Sequence, residues 1–264
     1  MSQTRQISFF DRSTDKRSHI TTLARDYPAG HVIQLHFHDR DQVVYASRGV
    51  MTVRTSNGTW VVPTRRAVWI PASVPHTITM SGAVDMRTLY LKPRLAKSLP
   101  RSCCVLHVSA LLKELIIHAC IRGSLDQRYR SQRDLIHVIV DQLEAIQLVP
   151  LQLPNPSDPR AQRLASVLLE NPGDRRTLND LCKTAGASKR TIERLFQTDT
   201  GMTFAKWRQQ LRLMQAMQLL AEGAQVTRAA LESGYSTPSA YISMFRKALG
   251  MRPTLYFKTD AQDW

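Results

Sequence analysis

The sequence predicts an α+β chain of two domains: an N-terminal β-barrel followed by helices, and a C-terminal all-α domain with two helix-turn-helix motifs. Three observations carry this. Short β-rich runs separated by turn residues fill Ile20 to Leu91. After Leu91 the apolar period becomes helical. Between Thr177 and Tyr256 one helix-turn-helix pattern is followed, about fifty residues on, by a second copy. At 264 residues the chain is long enough for two domains. The boundaries fall at 1–100 for the barrel, 101–153 for a helical segment, 154–159 for a linker and 160–260 for the second domain, with motifs at 177–197 and 226–249.

In the barrel region, Asn57-Gly58 between VMTVRT and TWVV is a two-residue hairpin signal. Pro63, Pro71 and Pro75 punctuate later strands, and VDMRTLYL closes the series. Many short strands at this spacing give a sandwich or small barrel. Within it stands a polar constellation: Gly30, five residues, His36-Phe37-His38, three residues, Gln42, six residues, Gly49, and later Pro71-Ala72-Ser73-Val74-Pro75-His76.

That spacing resembles the two cupin motifs. Two positions apart on a strand, His36 and His38 point to one side, and the resemblance makes that side the barrel interior, where Gln42 and His76 join them. A cupin metal site uses three histidines and a glutamate. Here Gln42 replaces the glutamate, leaving a neutral and weaker oxygen ligand, and Ser73 replaces the usual glycine. Two readings stand side by side. In one, His36, His38 and His76 hold a divalent metal that fixes the pocket or touches an effector; in the other, they hydrogen-bond one another or a ligand without metal. Tyr45, Val68 and Trp69 are candidate walls of the same pocket, plain core being the alternative for a strand aromatic.

Past the strands, Ser109 is placed to cap a helix with Leu112, Leu115, Ile116 and Ala119 inward. A second run presents Leu135, Val138, Ile139, Gln142, Leu143 and Ile146 on one stripe. Pro154-Asn155-Pro156-Ser157-Asp158-Pro159 makes an extended linker, in which Asp158-Pro159 doubles as cap and first turn of the next helix. That helix turns Ala161, Leu164, Ala165 and Leu168 inward and stops at Asn171-Pro172-Gly173.

In the first helix-turn-helix copy, Leu178, Leu181, Cys182 and Ala185 form the stripe behind the Thr177 cap, and Gly186 ends the helix. Ser188 caps the next helix, whose inner face is Ile192, Leu195 and Phe196. Its outer face carries Lys189, Arg190, Glu193, Arg194 and Gln197. In the second copy Val226, Ala229 and Ala230 supply the stripe, Gly234 the turn and Thr237 the cap before Pro238. Laying Phe196, Gly201 and Met202 over Phe245, Gly250 and Met251 sets the outer positions Ser239, Ile242, Ser243 and Arg246 against those of the first copy. The first helix is the better base reader. Arginine donates two bonds to guanine O6 and N7 and Glu193 accepts from cytosine N4, whereas serine is permissive and Ile242 packs only on something apolar such as a thymine methyl. Between the copies, Thr203 to Ala221 carries stripes Phe204, Trp207, Leu211, Met214 and Leu213, Ala216, Leu220, which make it a strut packed on both sides. Lys206, Arg208 and Arg212 read as solvated or phosphate-facing.

At these residues a family becomes recognisable. The run ALESGYSTPSAYISMFRKALGMRPTLY, Ala230 to Tyr256, resembles the signature of the AraC/XylS-type transcription regulators, and WRQQLRLMQAMQLLAEG, Trp207 to Gly223, resembles their linker helix. The likeness covers roughly the last hundred residues. Arg252 stands where Ser or Thr is usual and Phe257 where a basic residue is usual. The resemblance implies a cupin-like N-terminal domain that binds a small-molecule effector and a homodimer contact through the second run, Leu135 to Ile146, with Gln142 as a register device at the seam. It also implies double-stranded DNA as partner, and RNA polymerase for an activator. The stretch WVVPTRRAVWIPASVPH, Trp60 to His76, is similar to regulators of neighbouring transporter genes.

Charge agrees with a polyanionic partner: 36 basic against 21 acidic residues leave +15. The excess is spread over both halves, so charge alone does not find the reader. Met1 to Arg12 lacks the apolar core of a signal peptide, and no run approaches the ~20 apolar residues of a membrane span, so a cytoplasmic protein is expected. Cys103, Cys104, Cys120 and Cys182 have no metal-binding spacing; Cys103-Cys104 is either an oxidant sensor or a pair of buried thiols. The alternative to a regulator is a metal-dependent cupin enzyme with a DNA-binding tail, which the missing anionic ligand and the lack of an acid/base pair disfavour.

Overall fold

The structure, a computed structural model, describes residues 17–145 and 151–258, together with the strand backbones 8–9 and 148–149. The chain divides into two compact units: one of residues 1–56 and 60–150, the other of 57–59 and 151–264.

The first unit is built on β1 (Ser8–Phe9), β2 (Ile20–Tyr27), β3 (Val32–Phe37), β4 (Asp41–Thr55), β5 (Gly58–Pro63), β6 (Arg66–Ile70), β7 (His76–Leu91) and β8 (Cys104–His107). Helix α1 (Ala110–Arg122), β9 (Ser124–Leu125), helix α2 (Arg130–Glu144) and β10 (Leu148–Val149) follow. The long central strands β4 and β7 pair antiparallel along most of their length, from Asp41 against Leu91 to Arg54 against Thr77. Among the described residues the strand path runs β1-β3-β7-β4-β6-β8-β10, with β2 on β7, and does not return to its start. The expected barrel is thus an open sheet. Helices α1 and α2 cover one of its faces, so the apolar side chains there are buried without the sheet closing on itself.

Strand parity decides what goes where. Val43, Tyr45, Ala67, Trp69 and Leu89 share a face and form one core with Leu112, Ile116, Ile136, Ile139 and Leu143 of the two helices. Three local expectations shift. The hairpin turns at Ser56-Asn57, one residue before the Asn57-Gly58 signal, and Gly58 opens β5. The segment after residue 100, read as helical, begins with β8. On α2 the buried face is Ile136, Ile139 and Leu143, and Val138 is 42% exposed, because it stands roughly 200° around the helix from Ile136. Gln142 accepts from Ser109 Oγ at 3.3 Å, which ties α2 to the cap of α1 within the unit; Ile146 lies outside the described residues.

The second unit holds β11 (Gln152–Pro154), α3 (Pro159–Glu170), α4 (Leu178–Ala185), α5 (Lys189–Thr200), α6 (Phe204–Ala221), α7 (Val226–Glu232), α8 (Pro238–Leu249) and α9 (Pro253–Lys258). Helix α3 is started by Asp158, whose side chain accepts from Arg160 N at 2.9 Å, and buries Ala161, Leu164, Ala165 and Leu168. Helices α3, α4 and α5 pack together, α7 packs on α8 and α8 on α9. Helix α6 touches α5 on one side and α7 and α8 on the other, burying Phe204, Trp207, Leu211, Leu213, Met214, Ala216 and Met217. It is the strut that its two apolar stripes predict.

Candidate functional site

The two helix-turn-helix motifs take their shape from caps. Thr177 and Asp180 form a reciprocal capping box at the start of α4, which satisfies backbone donors that no helix can satisfy itself. Gly186 ends α4 at φ +64°, a left-handed conformation that costs glycine little. Ser188 Oγ accepts from Thr191 N at 3.2 Å and sets the first turn of α5. Thr237 Oγ1 does the same for α8, accepting from Ala240 N at 3.2 Å. Both second helices are twelve residues long and both stop at a left-handed glycine, Gly201 and Gly250. The internal repeat is therefore structural.

On α5, Ile192, Leu195 and Phe196 are buried, while Lys189, Arg190, Glu193, Arg194 and Gln197 are all exposed. Lys189 and Glu193 lie 3.9 Å apart as an exposed i,i+4 pair, a contact weak enough to yield to a base or a phosphate. Ser188 is exposed but its hydroxyl is engaged as the cap. On α8, Ser239, Ser243 and Arg246 are exposed and Ile242 is half-buried, over a buried face of Tyr241, Phe245 and Leu249. A concavity of about 720 Å³ runs along this outer face, and Lys247 and Arg252 line it beside Ser239, Ile242, Ser243 and Arg246. The sequence reading missed Lys247; its place one step from Arg246 at the end of α8 was the available signal.

Lys206 is exposed, as expected, but Arg208 and Arg212 are not solvated or phosphate-facing. Both are half-buried. Arg208 Nη1 donates to Arg176 O at 2.8 Å and Nη2 to Asp174 O, and Arg212 Nη2 donates to Asp174 O at 2.8 Å. Local spacing hides this role, because a charged side chain on a strut meets either solvent or a loop, and the loop is remote in sequence.

In the first unit, β3 and β7 set His36 against His76 in register, and His38 follows at the end of β3. The three imidazoles are buried and pack ring to ring, with centroids 4.3 Å apart for His36–His76, 4.8 Å for His36–His38 and 5.4 Å for His38–His76. Their candidate ligand atoms lie within 4.8 Å of one another. His36 Nδ1 bonds to Gln34 O at 2.6 Å and His76 Nδ1 to Val74 O at 2.9 Å. Burial, with His36 and His38 beside it, pushes the His76 imidazole down to about 3, so the ring is neutral near pH 7.

Gln42 belongs to this face: it pairs with Tyr90, whose ring packs edge-on against His38 at 4.9 Å. Tyr90 is a residue of this face that the sequence reading missed. Tyr45 and Trp69 do not join. They stand on the opposite face, in the core against α1 and α2, and Trp69 Nε1 donates to Pro100 O at 2.9 Å. Their odd numbers against the even Gln42 on β4 and Tyr90 on β7 carry the distinction. Ser73, in the glycine's place, takes the glycine's conformation at φ +66° and its N–H holds His38 O at 2.7 Å. Burial pushes Cys103 and Cys104 up to about 12 and Cys120 to about 11, which keeps these thiols protonated near pH 7 and favours the reading of Cys103-Cys104 as buried thiols.

Among the described residues no helix is long and apolar enough to cross a membrane. The AraC-like ligand binding domain family matches residues 19–125, and a helix-turn-helix domain family matches residues 181–259. The chain is 33% identical to the HTH-type transcriptional regulator NimR of Escherichia coli (strain K12) over 222 residues, 84% of this chain and 81% of that one. It is 32% identical over 103 residues, 39% of this chain and 31% of that protein, to the HTH-type transcriptional regulator RipA of Corynebacterium glutamicum. Among solved structures, ToxT from Vibrio cholerae O395 aligns over 92% of this chain and 99% of its own at 9% identity, with a TM-score of 0.40. With a ligand-binding family over its sheet, a helix-turn-helix family over its repeat and a regulator matched along most of its length, the chain belongs to the AraC-type transcription regulators and is a DNA-binding regulator with a ligand-binding domain, not an enzyme.

Proposed function

We propose that α5 and α8 enter successive major grooves on one face of double-stranded DNA, about 34 Å apart, and that a small effector bound in the first unit controls this binding. The observation that carries the reading is the pair of twelve-residue helices, each buried on one side and polar on the other, fixed to a shared strut. On α5, Arg190, Glu193 and Arg194 supply direct base readout. On α8, Arg246 with Lys247 and Arg252 holds phosphates, and Ser239, Ile242 and Ser243 meet the bases permissively.

The effector acts by binding one arrangement of the protein more tightly than another, the only way in which a ligand shifts an equilibrium. The polar face around His36, His38, Gln42, His76 and Tyr90 is its site. The protein works in the cytosol as a homodimer joined through α2, contacts RNA polymerase where it activates, and controls a neighbouring transporter gene. Footprinting on DNA flanking its own gene, at stated salt and with and without Arg190→Ala, tests the reading. Protection lost in the variant is expected. Protection unaltered by Arg190→Ala overturns the role of α5.

A further inference from the structure

The buried histidines carry the argument one step further. His36 and His76 each present Nδ1 to a main-chain carbonyl, Gln34 O and Val74 O. A carbonyl only accepts, so each Nδ1 carries the proton and each Nε2 keeps its lone pair, the arrangement by which outer-shell carbonyls orient metal-bound histidines. His76 is wholly buried, and its Nε2 has no hydrogen-bond partner. A buried acceptor without a donor is costly, and an ion at the centre of the cluster satisfies it. Two nitrogens bound to one ion at ~2.1 Å are at most about 4.2 Å apart, so a cluster whose ligand atoms lie within 4.8 Å closes on an ion by a small side-chain adjustment.

We propose that His36, His38 and His76 bind one divalent transition-metal ion, and that the positions they leave open take an anionic group of the effector. This rests on the reading of the first unit as the effector domain. Three neutral imidazoles suit zinc, nickel, cobalt, iron or copper, and not magnesium or calcium, which require oxygen ligands. Such a set leaves the ion's double charge uncompensated in a buried place, which is unfavourable without a counter-charge. No carboxylate joins the three histidines among the described residues. Asp41, next to Gln42, is on the other side of the strand, with its oxygens taken by Ala72 N at 2.9 Å and Arg94 N at 3.3 Å. In this proposal an anionic group of the effector supplies the counter-charge.

The same face carries further buried polar groups. Thr21 and Gln42 both pair with Tyr90 across the sheet, and Thr88 is two residues before Tyr90 on β7. The side-chain oxygens Thr21 Oγ1, Gln42 Oε1 and Thr88 Oγ1 are buried without a partner. A small anionic, metal-binding molecule with further donor groups matches that surface.

The test uses the full chain, stripped of metal by a chelator and titrated with Co²⁺. One Co²⁺ per chain, visible d–d bands, displacement by Zn²⁺ and a change in the bands on adding azide are expected. His36→Ala and His76→Ala weaken Co²⁺ by more than the roughly 10–100-fold that loss of an outer-shell partner costs, while the exposed His118→Ala leaves it unchanged. If either variant fails to fold, the paramagnetically shifted imidazole signals of the wild-type cobalt form identify the ligands instead. No stoichiometric Co²⁺, or equal binding in the variants, overturns the metal. Bands that azide does not move overturn the ion's role as anchor for an anion. Footprinting on the same samples separates the two readings: absent metal with intact protection defeats only this proposal, and absent protection defeats the regulator reading.

Discussion

Arg212 Nη2 donates to the main-chain oxygen of Asp174 at 2.8 Å, across 38 residues of sequence. Arg208, one turn earlier on α6, donates to the same oxygen. Two guanidinium groups on the strut thus clamp the loop that leads into the first helix-turn-helix motif. The turn of the second motif packs on the same place: a Cβ on Gly173 would lie 2.2 Å from Glu232 O, and one on Gly234 2.9 Å from Arg212 Nε. The loop, the strut and the turn form one packed knot, and the two reading helices are held in a fixed relation by it.

Arg212→Ala removes a charged donor from a half-buried carbonyl, a loss of about 1.5–3 kcal/mol. For a unit of this size each kcal/mol lowers the thermal midpoint by roughly 4–8 °C. The slope of log affinity against log salt stays as in the wild type, because no phosphate contact is lost. Thermal melts and DNA titrations at several salt concentrations check both halves. An unchanged midpoint with a slope shallower by about 0.9 would place the arginine on DNA.

Gly49 is the second position where one atom decides. It sits at φ +82° beside the bulges of β4 at Arg48, and a Cβ there would lie 2.3 Å from Ala83 O. Backbone cannot move aside cheaply, so Gly49→Ala destabilises the first unit by more than about 2 kcal/mol. Gly30 at φ +75° has nothing within 4 Å of its Cβ position, and Gly30→Ala costs only the left-handed penalty of about 1–2 kcal/mol. Urea unfolding of the two variants ranks them; equal losses would mean that the close approach to Ala83 does not matter.

The second unit was legible because its signals are local. Caps such as Thr177 and Ser188, stop residues such as Gly201 and Gly250, and buried faces such as Ile192, Leu195 and Phe196 all lie within one or two helical turns of each other. The first unit was legible in its elements and in the three histidines, and less so in which side chains meet. Tyr45 and Trp69 look like pocket walls until strand parity is fixed by pairing partners far along the chain. Tyr90 enters the site only through its register with Gln42. Arg208 and Arg212 look like surface cations until the loop at Asp174 folds back over them. Each of these misses is a long-range contact that no local spacing encodes.

Arg190 and Arg194 are exposed side chains on α5. Replacing either by Ala costs about 1–3 kcal/mol and relaxes preference at one base position, the signature of a lost bidentate contact to guanine. Arg246→Ala weakens all sequences alike and makes the salt slope shallower by about 0.9, as expected for one lost phosphate contact. Binding to a library of single-base operator variants tells the two apart. Uniform weakening by Arg190→Ala, or a lost base preference in Arg246→Ala, reverses the assignment.

Acid sensitivity of the second unit follows from its carboxylates. Asp158, at the start of α3, is held down from the ordinary 3.8 to about 2 by its bonds to Arg160. Hydrogen bonds from Asp158 N and Ser157 lower Asp199, and those from Arg176 lower Asp174. In each case the folded value is below the unfolded one, so the unfolded chain binds protons first as pH falls. The stabilisation is complete above the ordinary carboxylate value and drains away as pH drops through it toward about 2. The urea midpoint of the second unit is expected to be level from pH 7 to about 5 and to fall steeply below about 4. Asp158→Asn keeps a side chain able to cap α3 but has no proton to take up, so it makes the acid limb shallower. An acid limb as steep as in the wild type would mean that Asp158 is not among the groups whose protonation unfolds the unit.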